Sequence, residues 1–271
     1  MLIQSKYRLY ILCACLGIIG AGVFVPVYDG KSLMQYSFIA RKTTDSYTLQ
    51  SIVDKTKAKS AIVYDISNKK IIASKNPQYV MSLASITKVF TSAVAYEHML
   101  ELYPAQSEKT LTFLRDIQNM MMRSSNEDAE YISTYFGDTE KERLDALHAY
   151  VSPYQIYFRN VTGLDIPGVG VGAYGKTIDV GLAVAGVYKK HPEIFDKTIL
   201  PLSENTNHVA DKLNFFVAGK TGFTNLSGGN LVIIVQKGIT HKYMILVLGS
   251  TENGRFVDVE NIANALVQLN P

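Results

Sequence analysis

Thiols are nearly absent from this 271-residue chain: Cys13 and Cys15 are its only two, and both lie in the first apolar stretch. Everything beyond Tyr28 is therefore without disulfides, cysteine metal sites or a cysteine nucleophile. Charge of one sign is also missing. Lys and Arg number 27 against 24 acids, and with Lys6 and Arg8 set aside the remainder is 25 against 24, too balanced for a nucleic-acid binder. The five histidines, His98, His148, His191, His208 and His241, are scattered, with no HExxH and no pair at metal-ligand spacing. Neither G-x-S-x-G nor an internal repeat occurs, and with 8 prolines, 19 glycines and 47% hydrophobic residues the chain is neither low-complexity nor disordered.

Residues 9–28 (LYILCACLGIIGAGVFVPVY) contain no charge. About twenty apolar residues cross a hydrocarbon core as a helix, and Lys6 and Arg8 before them predict that end inside and the body outside. The length of the run and the lack of a small-x-small site after it favour an uncleaved anchor over a cleaved signal peptide. Leu12–Cys15 loosely resembles a lipoprotein box, but an apolar run follows where a polar tether belongs. We read 1–28 as the anchor, 29–46 as a tether and 47–271 as the exported body.

Along the body, Ser60–Ile66 and Lys70–Ser74 are β-rich runs around a Ser67-Asn68-Lys69 turn. Helical spacing follows from Ala84 to Leu102, and again over Leu111–Met122, Glu127–Phe136 and Glu140–Tyr150. A Gly-rich loop (Gly163–Gly175) precedes a helix over Thr177–Lys190 that Pro192 stops. Phe215–Lys220, Leu231–Gln236 and Tyr243–Gly249 read as strands, and Val257–Leu269 as a last helix. Strands at both ends with helices between predict an α+β fold with one sheet built from both ends of the chain.

Without cysteine or a usable histidine, a serine nucleophile needs another base, and lysine serves if its proton is labile. Ser85-Ile86-Thr87-Lys88 opens the long helix and sets the two side chains on one face. Backbone N–H groups at a helix start also stabilise developing negative charge. Ser67-Asn68-Lys69-Lys70 matches the same pattern, but in a turn where solvent keeps the amine protonated. Ser124-Ser125-Asn126, between helical segments, offers a hydroxyl and an amide, or alternatively a helix cap. Ser203-Glu204-Asn205 also fits S-x-N and ranks lower, in a polar loop. Lys220-Thr221-Gly222, followed by Phe223, ends a strand that can bind an extended peptide and hold a carboxylate by charge. The order S-x-x-K, S-x-N, K-T-G is the set found in β-lactamases and penicillin-binding proteins.

From Ser60 onward the chain resembles the low-molecular-mass penicillin-binding proteins of the D-alanyl-D-alanine carboxypeptidase family. SLASITKVFTSAVAYE resembles the family's nucleophile helix, FRNVTGLD its loop ending in Gly-Leu-Asp, Asn205–Asn207 the polar stretch before K-T-G, and AGKTGFTNLSGGNLVIIV its substrate strand and return strand. The resemblance implies a β-lactamase/DD-peptidase-like fold and a serine D-Ala-D-Ala carboxypeptidase. Its partners would be peptidoglycan stem peptides ending in D-Ala-D-Ala and, as covalent inhibitors, β-lactams. It implies no cofactor or metal, and a place on the outer face of the bacterial cytoplasmic membrane. Ser85 would be the nucleophile, Lys88 its base, Ser124 the proton donor to the leaving amine, and Asn126 a positioning amide. Lys220 and Thr221 would bind the terminal carboxylate, with Gly222 allowing close approach. The N–H groups of Ser85 and Phe223 would form the oxyanion hole. Burial and the nearby Lys220 cation would lower Lys88's pKa.

Three departures stand out. The interval from Ser85 to Ser124 is short, Phe223 stands where many relatives carry histidine, and the chain ends soon after its last helix, which leaves attachment to the N-terminal segment. The short form also resembles the endopeptidase members, which cut cross-links. A β-lactamase would need an E-x-x-L-N run, absent between Asn126 and Lys220; a non-catalytic muropeptide sensor would keep the binding groups without turnover.

Overall fold

The computed structural model describes residues 45–269, so the anchor over 9–28 and most of the tether lie outside the described residues. A helix over 45–54 (α1) comes first. Its onset falls within the last two residues of the stretch read as tether, and the sequence pattern did not show it. Then follow β1 (Ser60–Asp65), β2 (Lys70–Lys75) and β3 (Val80–Ser82), and a 3-10 turn (Ala84–Ile86) that runs into α2 (Thr87–Leu102). α3 (Glu108–Arg123), α4 (Asn126–Ser133) and α5 (Glu140–Tyr150) make the helical insertion. β4 (Ile156–Phe158), β5 (Ala173–Lys176), α6 (Thr177–Lys190) and a 3-10 segment (Pro192–Ile199) return the chain to β6 (Phe216–Thr224), β7 (Gly228–Lys237), β8 (His241–Ser250) and α7 (Gly254–Gln268).

The main sheet is antiparallel in the order β2-β1-β8-β7-β6, so both chain ends do build it, with β6 at one edge. Its central strands are buried on both faces, which is why β7 and β8 read as continuous apolar runs. The period of two then sorts their side chains. Leu231, Ile233, Val235, Ile245 and Val247 pack with Leu49 and Val53 of α1 and Val259, Ile262 and Leu266 of α7. Val232, Ile234, Met244, Leu246 and Leu248 face α2 and the helical insertion. A one-residue slip would exchange these two sets, so register is firmly specified.

Two expectations need correction. A second, three-stranded antiparallel sheet (β3-β5-β4) lies beside the 3-10 turn, and β5 takes the last residues of what the glycines made read as a loop. Its strands are three or four residues long, too short to display a period. The long helix also begins later than its apolar spacing indicates, because Ala84–Ile86 form a 3-10 turn and Ala84 has φ +46°.

Gly163 fixes that turn from outside. Its φ is +80°, and a Cβ there would lie 1.9 Å from the Ala84 carbonyl oxygen and 2.5 Å from Thr87 Oγ1. Gly163→Ala is therefore expected to cost about 3 kcal/mol, roughly 10 °C in melting temperature. Thermal unfolding of the variant checks this; a shift within experimental scatter would refute the close packing.

Candidate active site

Ser85 sits in the 3-10 turn and Lys88 in the first turn of α2, both buried. The Lys88 amine lies 2.9 Å from Ser85 Oγ, 2.7 Å from Asn126 Oδ1 and 3.0 Å from the Thr162 carbonyl oxygen. A neutral amine has two N–H donors and one lone pair. The two carbonyl-type oxygens can take both donors, which leaves the lone pair for the Ser85 hydroxyl proton. Burial brings Lys88 down to about 7, with Glu130, four residues beyond Asn126 on α4, acting in the opposite sense. Lysine is thus poised to change protonation near neutrality.

The FRNVTGLD stretch presents the Thr162 carbonyl. Asn160 Oδ1 accepts from Gly163 N–H at 2.7 Å, and its Nδ2 donates to the Leu164 carbonyl at 2.9 Å. Asp165 ties the far end to the turn after β6, accepting from Thr224 Oγ1 and Leu226 N–H. Without this loop Lys88 would lose one of its two acceptors.

Ser124 terminates α3 in the left-handed region, φ +59°. Lys220 donates to its hydroxyl at 2.7 Å and to the Thr221 carbonyl at 2.8 Å. Ser125, not Ser124, is the helix cap: its Oγ accepts from Asp128 N–H at the start of α4. The cap reading therefore holds for Ser125, while Ser124 and Asn126 face the two lysines. Of the four non-glycine residues with positive φ among the described residues, Ala84 and Ser124 border or form this site. Sparsely populated backbone is thus concentrated where the hydroxyls are aimed.

Lys220 is fully buried, and burial first, then Lys88 and Arg255, hold its ammonium well below the usual lysine range. Burial is the main cause that lowers Lys88, and the neighbouring Lys88 amine is among the causes that lower Lys220. Arg255, on α7, donates to the Gly222 carbonyl at 2.6 Å and is itself buried. Among the described residues neither lysine pairs with a carboxylate. The end of β6 therefore gathers basic groups without a counter-ion, and an anion arriving there would favour the charged form of Lys220.

Gly222 passes close to the 3-10 turn that carries Ser85. A Cβ there would meet the Leu83 carbonyl oxygen at 3.0 Å and Ser85 N at 3.2 Å, so glycine keeps the space before that N–H open. Phe223 is half-exposed at the rim, its ring facing the Arg255 guanidinium. Thr221 is buried and bonded through its hydroxyl to Thr206 at 2.6 Å.

The structure thus brings Ser85, Lys88, Ser124, Asn126, Lys220, Thr221 and Gly222 into one cluster, with Phe223 at its edge. The rival motifs lie elsewhere: Lys70 is exposed at the end of a turn, and Asn205 uses its amide to hold the Thr198 and Leu200 carbonyls. Thr162, Arg255 and Glu130 escaped sequence reasoning. Thr162 acts through its backbone, and the other two are common residue types at no telling spacing. Each histidine is structural or exposed; His191, for example, is buried between Glu97 and Glu193.

Residues 47–109, which include Ser85 and Lys88, match the family model described as D-alanyl-D-alanine carboxypeptidase. No curated protein matches the chain. Among solved structures, penicillin-binding protein D2 of Listeria monocytogenes, in an ampicillin-bound form, superposes with a TM-score of 0.68 at 22% identity, covering 78% of this chain and 98% of that one. D-alanyl-D-alanine carboxypeptidase from Mycobacterium tuberculosis gives 0.65 at 18%, covering 81% and 94%. A mutant of the Streptomyces K15 DD-transpeptidase gives 0.64 at 16%, covering 79% and 99%. The chain therefore has the α+β fold of the DD-peptidases, and its residues 47–109 match the model of the D-alanyl-D-alanine carboxypeptidase family.

Proposed function

We propose that the protein is a serine D-Ala-D-Ala carboxypeptidase that trims peptidoglycan stem peptides through an acyl-enzyme on Ser85 and is inhibited by β-lactams. The observation that carries this reading is the Lys88 amine, buried, held by two carbonyl-type oxygens and 2.9 Å from Ser85 Oγ. Ser85 attacks the carbonyl carbon of the penultimate D-alanine while its proton passes to Lys88. The N–H groups of Ser85 and Phe223 receive the developing oxyanion. Ser124, held by Lys220, gives its proton to the departing amine and takes one back from Lys88, which is neutral again; the C–N bond breaks and D-alanine leaves. Water, deprotonated by Lys88, then cleaves the ester and regenerates the Ser85 hydroxyl. An uncleaved helix over residues 9–28 would hold the body at the outer face of the cytoplasmic membrane.

Lys220 supplies the charge for the substrate's terminal carboxylate, and Thr221 a hydroxyl. Lys220→Ala should lower kcat/KM for a peptide ending in D-Ala-D-Ala by about a hundredfold more than for its C-terminal amide. Equal losses on the two peptides would remove Lys220 from carboxylate recognition.

Intact-mass measurement of the full chain, purified in detergent and incubated with benzylpenicillin, tests the function. A long-lived single adduct mapping to Ser85 is the expected result. Consumed drug with unmodified protein would instead indicate a β-lactamase. Intact drug with unmodified protein would indicate a sensor, and cleavage of cross-linked dimers in preference to stem-peptide ends would make it an endopeptidase.

A further inference from the structure

Thr206 is half-buried and belongs to none of the three motifs, yet it touches one of them and the helix end that leads into another. Its backbone N–H and its hydroxyl both reach the Met122 carbonyl, at 3.1 and 3.3 Å, and the same hydroxyl lies 2.6 Å from Thr221 Oγ1. Met122 is in the last turn of α3, two residues before Ser124, where helix carbonyls lack intrahelical partners. Thr206 thus joins the segment that ends in Ser124 to the strand that carries Lys220 and Thr221.

Hydroxyl counting shows what this contact does. Each threonine has one O–H donor and two lone pairs. If Thr206 donates to Met122, Thr221 must donate to Thr206, and Thr221 then turns only lone pairs toward the cluster. A carboxylate there needs the reverse: Thr206 donates to Thr221, and Thr221 donates to the anion. Reversal takes two hydroxyl rotations and breaks no covalent bond. The Met122 carbonyl keeps its bond from the Thr206 N–H throughout, so no buried acceptor is orphaned. Bonds in such a chain also strengthen one another.

We infer that Thr206 is a positioning residue for carboxylate recognition: it holds the Thr221 hydroxyl in place and donates to it when a substrate or inhibitor carboxylate binds. The inference rests on the reading of Thr221 as a carboxylate ligand.

Thr206→Val tests it. A methyl group replaces an oxygen 2.6 Å from Thr221 Oγ1, closer than carbon and oxygen can approach, so the Thr221 hydroxyl must move. Thr206→Ser keeps the hydroxyl. Acylation by benzylpenicillin and by its methyl ester is followed by intact mass, and each progress curve is resolved into initial binding and acylation of the bound complex. With Thr206→Val, initial binding of the acid should weaken about tenfold, acylation within the complex should change little, and the ester should lose no more than about twofold. Thr206→Ser should restore the acid. Equal losses on acid and ester, unchanged binding of the acid, or failure of serine to rescue would each overturn the inference. A wild-type protein that reacts equally with acid and ester would overturn the reading of Thr221 itself, and the relay with it.

Discussion

Lys88→Met is expected to lower the rate of Ser85 acylation by about 10⁴-fold, the upper range for removal of a positioned general base. Methionine fills nearly the same volume, so the cavity walls stay in place, and the loss reports the amine alone. In the wild type the rate should rise with pH through about 7, where the buried Lys88 loses its proton and its lone pair becomes available. Stability carries a second signature. Lys88's folded pKa of about 7 lies below its unfolded value near 10.5, so between these limits the unfolded chain binds the extra proton. The wild type therefore gains stability from this group as pH rises from about 7 to about 10.5, and below 7 bears the full penalty of a buried ammonium. The variant has no such group, so its stability relative to wild type should be greater at pH 6 than at pH 9, by an amount on the order of a few kcal/mol. Chemical denaturation at the two pH values measures this. A relative stability independent of pH would mean that Lys88 is not held neutral in the folded protein.

The parts of this molecule that could be read from its sequence are those in which a local pattern meets a local cause. The helices over Glu140–Tyr150 and Thr177–Lys190 are found with the expected bounds, since a complete capping box opens the first and Pro192 follows the second. β6 runs farther than its apolar stretch indicates, to Thr224, because Thr221–Thr224 pair with Leu231–Gly228 across the turn. Such pairing leaves no mark in composition. The site divides in the same way. The side chains proposed to act, Ser85, Lys88, Ser124, Asn126 and Lys220, stand in short ordered motifs. Thr162 contributes a carbonyl that any residue could offer, and its placement depends on Asn160 and Gly163 instead. Arg255 reaches the Gly222 carbonyl from α7, a contact across 33 residues of chain that only the fold creates.

Ser85→Ala should eliminate the benzylpenicillin adduct altogether, since no other hydroxyl lies beside the Lys88 lone pair in the attacking position, and should lower peptidase turnover by about 10⁵-fold. The fold should survive. Ser85 Oγ meets a single described partner, the Lys88 amine, which keeps Asn126 and Thr162 as acceptors, and alanine suits the 3-10 turn as well as serine. The melting temperature should therefore move by no more than a few degrees, in contrast to Gly163→Ala, whose clash is with backbone. Nucleophile and base act on one proton, so their losses cannot add. The Ser85→Ala, Lys88→Met double variant should be no slower than the more damaged single variant, within about threefold. Additive losses would mean that Lys88 assists a step in which the Ser85 hydroxyl takes no part, and the shared-proton geometry would then not be the basis of acylation.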